Sequence, residues 1–140
     1  MKDTLPYTLT VYLEDTDAGG FVYHANYLKY MERARTMLLY HKGIDHAQLI
    51  KDHHHMFVVY TMAIQFLSAA KLGDTLQVFT TLDSITGARA TMNQSIVREG
   101  KLLVKANVTL AYIDQASPTS RPVRIPKFIT RALDVKILEV

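Results

Sequence analysis

The sequence predicts an α+β domain in which one long amphipathic helix is covered by a curved antiparallel sheet. A 3.6-residue apolar period runs through Tyr27, Tyr30, Met31, Ala34 and Leu38, one stripe of a helix. Four long β-rich runs follow, separated by Gly and Asp turn signals. A shorter alternating run, TLTVYL, precedes the helix.

In chain order, Thr8 to Leu13 reads as a strand with Leu9, Val11 and Leu13 on one face. Gly19-Gly20 ends it. The helical period then spans Asn26 to Lys42, about 25 Å of helix, with Lys29, Glu32, Arg33 and Thr36 at other positions and Gly43 as the stop. A second, short helix is predicted in HAQLIKD, with Asp45 as its N-cap. The strands follow as Phe57–Leu67, Thr75–Thr86, Ala90–Arg98 and Leu102–Ile113. They are longer than the usual strand of about 5–6 residues. Tight turns at Gly73-Asp74, Gly87 and Glu99-Gly100 predict an antiparallel meander. The Pro-containing segment SPTSRPVRIP separates the last strand from a short helical tail starting at Lys127. With no internal repeat or composition break, residues 1–140 read as a single domain. A helix with a wide apolar stripe and only one sheet to cover it is buried best when the sheet curls around it. That arrangement leaves the helix N-terminus at a rim.

Composition narrows the function classes. The chain is 49% hydrophobic and 21% charged, with a formal net charge of +3 and no cysteine. It therefore has no disulfide framework or thiolate metal site, which suits a cytoplasmic location. The first residues lack a signal-peptide layout, and no run approaches the ~20 apolar residues of a membrane span. The charge excess is too small to argue for a nucleic-acid partner. The run His53-His54-His55 resembles a metal tract. Three consecutive side chains diverge, however, and no acidic or cysteine context joins them, so a solvated loop and no metal or cofactor are expected.

The chemistry concentrates in EDTDAGGFVYHANYLKYMERAR, Glu14 to Arg35. A helix start presents unpaired N–H groups and the positive end of the dipole. Gly19 and Gly20 allow a sharp turn and close approach to a ligand. The amides of Tyr23 and His24 then form a candidate oxyanion hole. Asp17 is the candidate carboxylate, attacking a trapped acyl carbonyl itself or deprotonating a water that does. The structural alternative stands beside this one: an Asp in a Gly-rich loop caps a turn, as Asp15 also would, and a histidine at a helix start is often structural.

The pattern Asp15-Thr16-Asp17, Ala18-Gly19-Gly20, Val22-Tyr23-His24, Asn26-Tyr27 and Glu32-Arg33-Ala34-Arg35 resembles the signature of hotdog-fold acyl-CoA thioesterases of the 4-hydroxybenzoyl-CoA thioesterase type. Within them it is most similar to the bacterial subfamily associated with the Tol-Pal envelope system. The resemblance implies a five-stranded antiparallel sheet around one long helix. It also implies dimers whose sheets join, often paired into tetramers, with active sites at the subunit interface. By motif position Asp17 is the essential carboxylate, and the His24 amide is the oxyanion donor with Tyr23 beside it. The His24 side chain takes a supporting part. Gly20 and Asn26 are candidate substrate contacts in the same motif. Tyr30, Met31 and Phe57 are candidates for the acyl pocket, and Arg89 and Arg124 for the coenzyme A phosphates. One departure is Tyr12-Leu13, where the close subfamily often carries consecutive tyrosines.

A thioester suits this machinery. Its thiolate leaves with a conjugate-acid pKa of about 8.5 and requires little protonation. No G-x-S-x-G elbow argues for a serine hydrolase. The leading expectation is hydrolysis of an acyl-CoA, or an acyl carrier protein thioester, by a homodimer or homotetramer. The alternatives are a non-catalytic acyl-CoA or acyl carrier protein binding subunit, and a hotdog dehydratase. Glu32, three residues from both Lys29 and Arg35, reads as part of a surface or interface ion pair.

Overall fold

The apolar stripe organises the structure. The computed structural model describes residues 5–133, and in it the helix α1 runs His24–His41. Its Tyr27, Tyr30, Met31, Ala34 and Leu38 are all buried, as the period requires. Lys42 caps its end and Gly43 takes a left-handed φ of 85°, the conformation that makes glycine the natural stop there. In α2, His46–His53, the Asp45 carboxylate accepts the Ala47 N–H at 3.0 Å, so the expected N-cap is in place.

The sheet has five antiparallel strands: β1 Tyr7–Thr10, β2 His55–Phe66, β3 Thr75–Thr86, β4 Arg89–Arg98 and β5 Lys101–Asp114. Their spatial order is β1-β3-β4-β5-β2. Register shifts at Val59/Thr61, Leu82/Ser84 and Ile96/Val97 interrupt three ladders. Such irregularities bend and twist strands, and the inner face of the sheet packs on α1 through one core. The closing helix α3 covers Lys127–Leu133.

Two expectations need correction. The meander holds only for β3, β4 and β5; β2 pairs with β5 at the far edge instead of forming a hairpin with β3. Gly73-Asp74 belongs instead to a turn in which Lys71 N–H donates to the Asp74 carboxylate and Asp74 N–H to the Lys71 carbonyl. The expected first strand also ends early. Its ladder stops at Thr10, and Leu13–Asp15 form a single 3₁₀ turn closed by the Tyr12 N–H on the Asp15 carboxylate. Leu13 is consequently 73% exposed and does not share the buried face of Val11.

The histidine run also departs from a solvated loop. His53 ends α2, His54 adopts a left-handed φ of 57°, and His55 opens β2. The His53 and His55 rings stack at 6.0 Å, so these two do not diverge. Nearby, His46 Nε2 accepts the Phe57 N–H at 2.9 Å. That bond requires the neutral ring, and burial holds the His46 pKa below the ordinary imidazole value despite the Glu32 and Asp45 carboxylates.

Two predictions follow from the α2 corner. Asp45→Ala should lower stability by about 1 kcal/mol, the usual cost of a lost N-cap, read as a reduced urea midpoint at unchanged slope. Because the unfolded chain binds the proton that folded His46 refuses, the His46 contribution should weaken as pH falls below about 6.5. Midpoints compared across pH 7.5 to 5.5 should show a shallower pH dependence for His46→Gln than for the wild type.

Candidate functional site

The loop ahead of α1 is a tight hairpin. Thr16 and Val22 form an antiparallel bridge, Asp17 N–H donates to the Phe21 carbonyl at 2.8 Å, and Gly20 N–H donates to the Asp17 carbonyl at 3.1 Å. Gly20 sits at φ 81°, a backbone that side chains with a Cβ resist. The crossing connection between β2 and β3 braces this hairpin from outside. Val22 N–H donates to the Ala70 carbonyl and Leu72 N–H to the Gly20 carbonyl, while Phe21 bridges Lys71. Tyr27 of α1 holds the same connection, its hydroxyl accepting the Ala70 N–H at 2.9 Å. Asp74 completes the brace in an ion pair with Arg98 at 2.7 Å.

Asp17 is exposed, and its Oδ1 accepts the amides of Gly19 at 2.9 Å and Phe21 at 3.3 Å. The carboxylate is thus oriented by the turn it caps, while Oδ2 has no partner among the described residues. A Cβ on residue 19 would meet Oδ1 at 3.4 Å, an ordinary contact, so this turn demands glycine at Gly20 and not at Gly19.

The expected donor pair narrows to one. Tyr23 N–H is engaged by the Asp15 carbonyl at 2.9 Å, so it is not free for a ligand, whereas the His24 N–H has no acceptor among the described residues. A first-turn amide of a helix is expected to be free in this way. The Asp15 carbonyl also accepts Asn26 Nδ2 at 2.8 Å, which makes Asn26 a brace of the loop. The exposed His24 ring lies 4.7 Å from the Tyr23 ring and 6.0 Å from that of Phe66.

The structure therefore brings Asp17, Gly20 and Tyr23 of the hairpin together with His24 and Asn26 of the first turn of α1. The remaining candidates lie elsewhere. Tyr30 is 1% exposed, its hydroxyl unpaired inside the core. Burial first, then the neighbouring Asp15 carboxylate, holds the Tyr30 pKa well above the ordinary phenol value. Phe57 is buried against Tyr112 and His46 at the α2 end of β2. At the other end of that strand, Phe66 meets His24 and Tyr27 instead. Its place near the end of the expected Phe57–Leu67 strand is its only signal in the sequence. Arg89 and Arg124 are both exposed and flank one turn, since Ile125 N–H donates to the Gly87 carbonyl. The Arg89 guanidinium lies 3.6 Å above the Tyr60 ring. Tyr60 is six residues from Phe66, roughly 20 Å along the strand, so the arginines are distant from Asp17 of the same chain.

No group of three His, Cys, Asp or Glu among the described residues can hold a metal ion. An apolar cavity of about 390 Å³ opens beside Met37, His41 and Val78, toward the far end of α1. The chemistry of the loop, not that cavity, marks the site. Glu32 and Arg35 do not form the expected ion pair: Glu32 accepts the Thr36 hydroxyl, while Arg35 turns inward to Gln94 Oε1 at 3.0 Å.

Comparison with known proteins agrees with this architecture. Residues 11–133 match the Thioesterase-like superfamily. The chain is 40% identical to the acyl-CoA thioesterase YbgC of Haemophilus influenzae over 126 residues, 90% of this chain and 91% of that one. It is 38% identical to the acyl-CoA thioester hydrolase YbgC of Escherichia coli over 120 residues, 85% of this chain and 87% of that one. Among solved structures, a probable thioesterase from Bartonella henselae superposes with a TM-score of 0.81 at 34% identity, covering 86% of this chain and 98% of that one. With its helix wrapped by a five-stranded antiparallel sheet and its glycine hairpin at the helix start, this chain belongs to the hotdog-fold Thioesterase-like superfamily.

Proposed function

We propose that this protein hydrolyses acyl-CoA thioesters at the Asp17–His24 loop. The observation that carries the reading is a carboxylate oxygen and a helix-start amide, both without protein partners among the described residues, on either limb of one short hairpin. The YbgC proteins of Haemophilus influenzae and Escherichia coli bear the names of acyl-CoA thioester hydrolases, which supports the substrate class.

In this reading the thioester carbonyl oxygen accepts the His24 N–H, where the helix dipole favours the charge that develops in the transition state. Asp17 acts in one of two ways: it attacks the carbonyl carbon and expels the thiolate, leaving an anhydride that water hydrolyses to the free acid and the Asp17 carboxylate, or it deprotonates the water that attacks. On the water route, a bond forms from water oxygen to carbon, the proton goes to Asp17, and the carbon–sulfur bond breaks. The thiolate leaves and takes up a proton, giving free acid and coenzyme A. The His24 ring, packed between Tyr23 and Phe66, is positioned to line the same site.

The phosphates of coenzyme A fall to Arg89 and Arg124, whose planar forks suit them. Their distance from Asp17 supports a homodimer. Antiparallel pairing of two β2 edges, which carry the exposed Val59 and Tyr60, would bring the arginines of one copy toward the loop of the other. No helix among the described residues is long and apolar enough to cross a membrane, and the proposed setting is the cytoplasm.

Asp17→Asn tests the assignment cleanly, because an amide oxygen still accepts the Gly19 and Phe21 N–H groups and preserves the turn. Turnover, followed as thiol released from short, long and aromatic acyl-CoAs, should fall at least about a hundredfold with an unchanged circular dichroism spectrum. Wild-type activity in the variant would remove Asp17 from its role. Saturable acyl-CoA binding without thiol release from any substrate would favour a non-catalytic binding subunit.

A further inference from the structure

The β1 border of the sheet stops short of the helix it covers. β1 pairs with Thr75–Val78, so from Phe79 onward β3 has no neighbour on that side among the described residues. Ahead of Tyr7 the chain leaves the ladder through Pro6, which has no N–H to continue it. The second half of α1 is covered incompletely there, and the apolar cavity of about 390 Å³ occupies the gap. One wall carries Tyr7, Thr8 and Val78 of the sheet, and the other Ala34, Met37 and Leu38 of α1.

The polar groups of this cavity are unevenly placed. Thr80 is buried, its hydroxyl already accepting Gln94 Nε2 at 2.9 Å. His41 and Lys42 are exposed at the end of α1, where the cavity opens to solvent. No Asp or Glu lines the cavity, and neither His41 nor Lys42 has an ion-pair partner among the described residues. Leu5 is 85% and Met37 37% exposed, so apolar surface at the mouth also stays in water. Basic side chains at a helix end complement its dipole. That accounts for their charge, but not for an open apolar cavity beside them.

We propose that this cavity binds a single-chain carboxylic acid as its anion, with the chain against Met37, Leu38 and Val78 and the carboxylate at His41 and Lys42. Covering the apolar walls and the chain together removes both from water, which favours binding. The head group is chosen by charge. A carboxylate meets the Lys42 ammonium and an imidazole N–H with no acid nearby, whereas an amine would meet Lys42 as a like charge. At the roughly 30 Å³ that one water occupies in the liquid, the cavity has room for about a dozen non-hydrogen atoms. That is an acid of about eight to ten carbons, and a two-chain lipid is too large.

The site is separate from the Asp17–His24 loop. Ala34 to His41 lie about 15 to 26 Å along the α1 axis from His24. The cavity also borders β1, across the sheet from the β2 edge at which two copies are proposed to pair. It stands independently of the hydrolase reading, although its ligand is of the class that thioester hydrolysis releases.

Calorimetry on the full chain with octanoate, decanoate, octanol and octylamine tests this assignment. The two carboxylates should bind saturably, and octanoate at least about tenfold more tightly than octanol or octylamine, the scale of one charge-assisted hydrogen bond. Their affinity should fall as salt rises, because the ion pair lies at an exposed mouth. Lys42→Gln should weaken octanoate binding by about tenfold. Thr8→Trp, at an exposed strand position that suits an aromatic, should obstruct the cavity and remove the binding. Both variants should release thiol from acyl-CoA as the wild type does. Absence of saturable binding overturns the proposal, as it would if a second copy sealed the cavity. Equal affinity for octanol and octanoate overturns it too. Octanoate binding unchanged in both variants places the acid elsewhere, the Asp17–His24 loop included, and does the same. Should Thr8→Trp fail to fold, Lys42→Gln decides. Absence of thiol release from the wild type would sink the hydrolase reading and leave this one standing.

Discussion

The carbonyl oxygen of Asp15 holds the site together. It accepts the Tyr23 N–H and Asn26 Nδ2, one bond from the residue before α1 and one from inside its first turn. These contacts pin the outgoing limb of the hairpin to the incoming one, and the Asp15 carboxylate closes the 3₁₀ turn on the Tyr12 N–H. Released from that oxygen, the helix start and the Asp17 limb would be tied only by the bridge at Thr16 and Val22 and by bonds at the tip. Asp15 is thus a framework residue and Asp17 an open one, although the sequence writes them two positions apart.

That division of labour was only partly legible in the sequence. The buried stripe of α1, the Asp45 cap and the lengths of the last three strands depend on local periodicity and turn chemistry, and they read correctly. The edge position of β2 did not, because a Gly-Asp turn signals a reversal but not which strand lies beside it. Arg35 misled for a similar reason. Helical spacing offers it Glu32 as a neighbour, yet the acceptor that draws it inward is Gln94, 59 positions away.

The loop itself was legible because glycine and aspartate carry backbone consequences within a few residues. Which amide remains free was not, since that depends on where the Asp15 carbonyl points. Tyr30 shows the limit from the other side. A helical stripe identifies a face but does not say whether core or ligand covers it, and here the core does. The same ambiguity left Phe66 unremarked, although it is the β2 aromatic that touches His24.

Residues 67–74 carry a consequence for how the site comes into being. They leave β2 at one border of the sheet, pass the start of α1, and enter β3, which lies beside the opposite border strand β1. The hairpin bearing Asp17 leans on this crossing segment, so its shape depends on partners separated by about fifty positions in the chain. Contacts of such long sequence separation form late, after the loops between them have closed. A nascent or partly unfolded chain therefore owns every residue of the loop while lacking the loop, and any chemistry there is withheld until both borders of the sheet have found their neighbours.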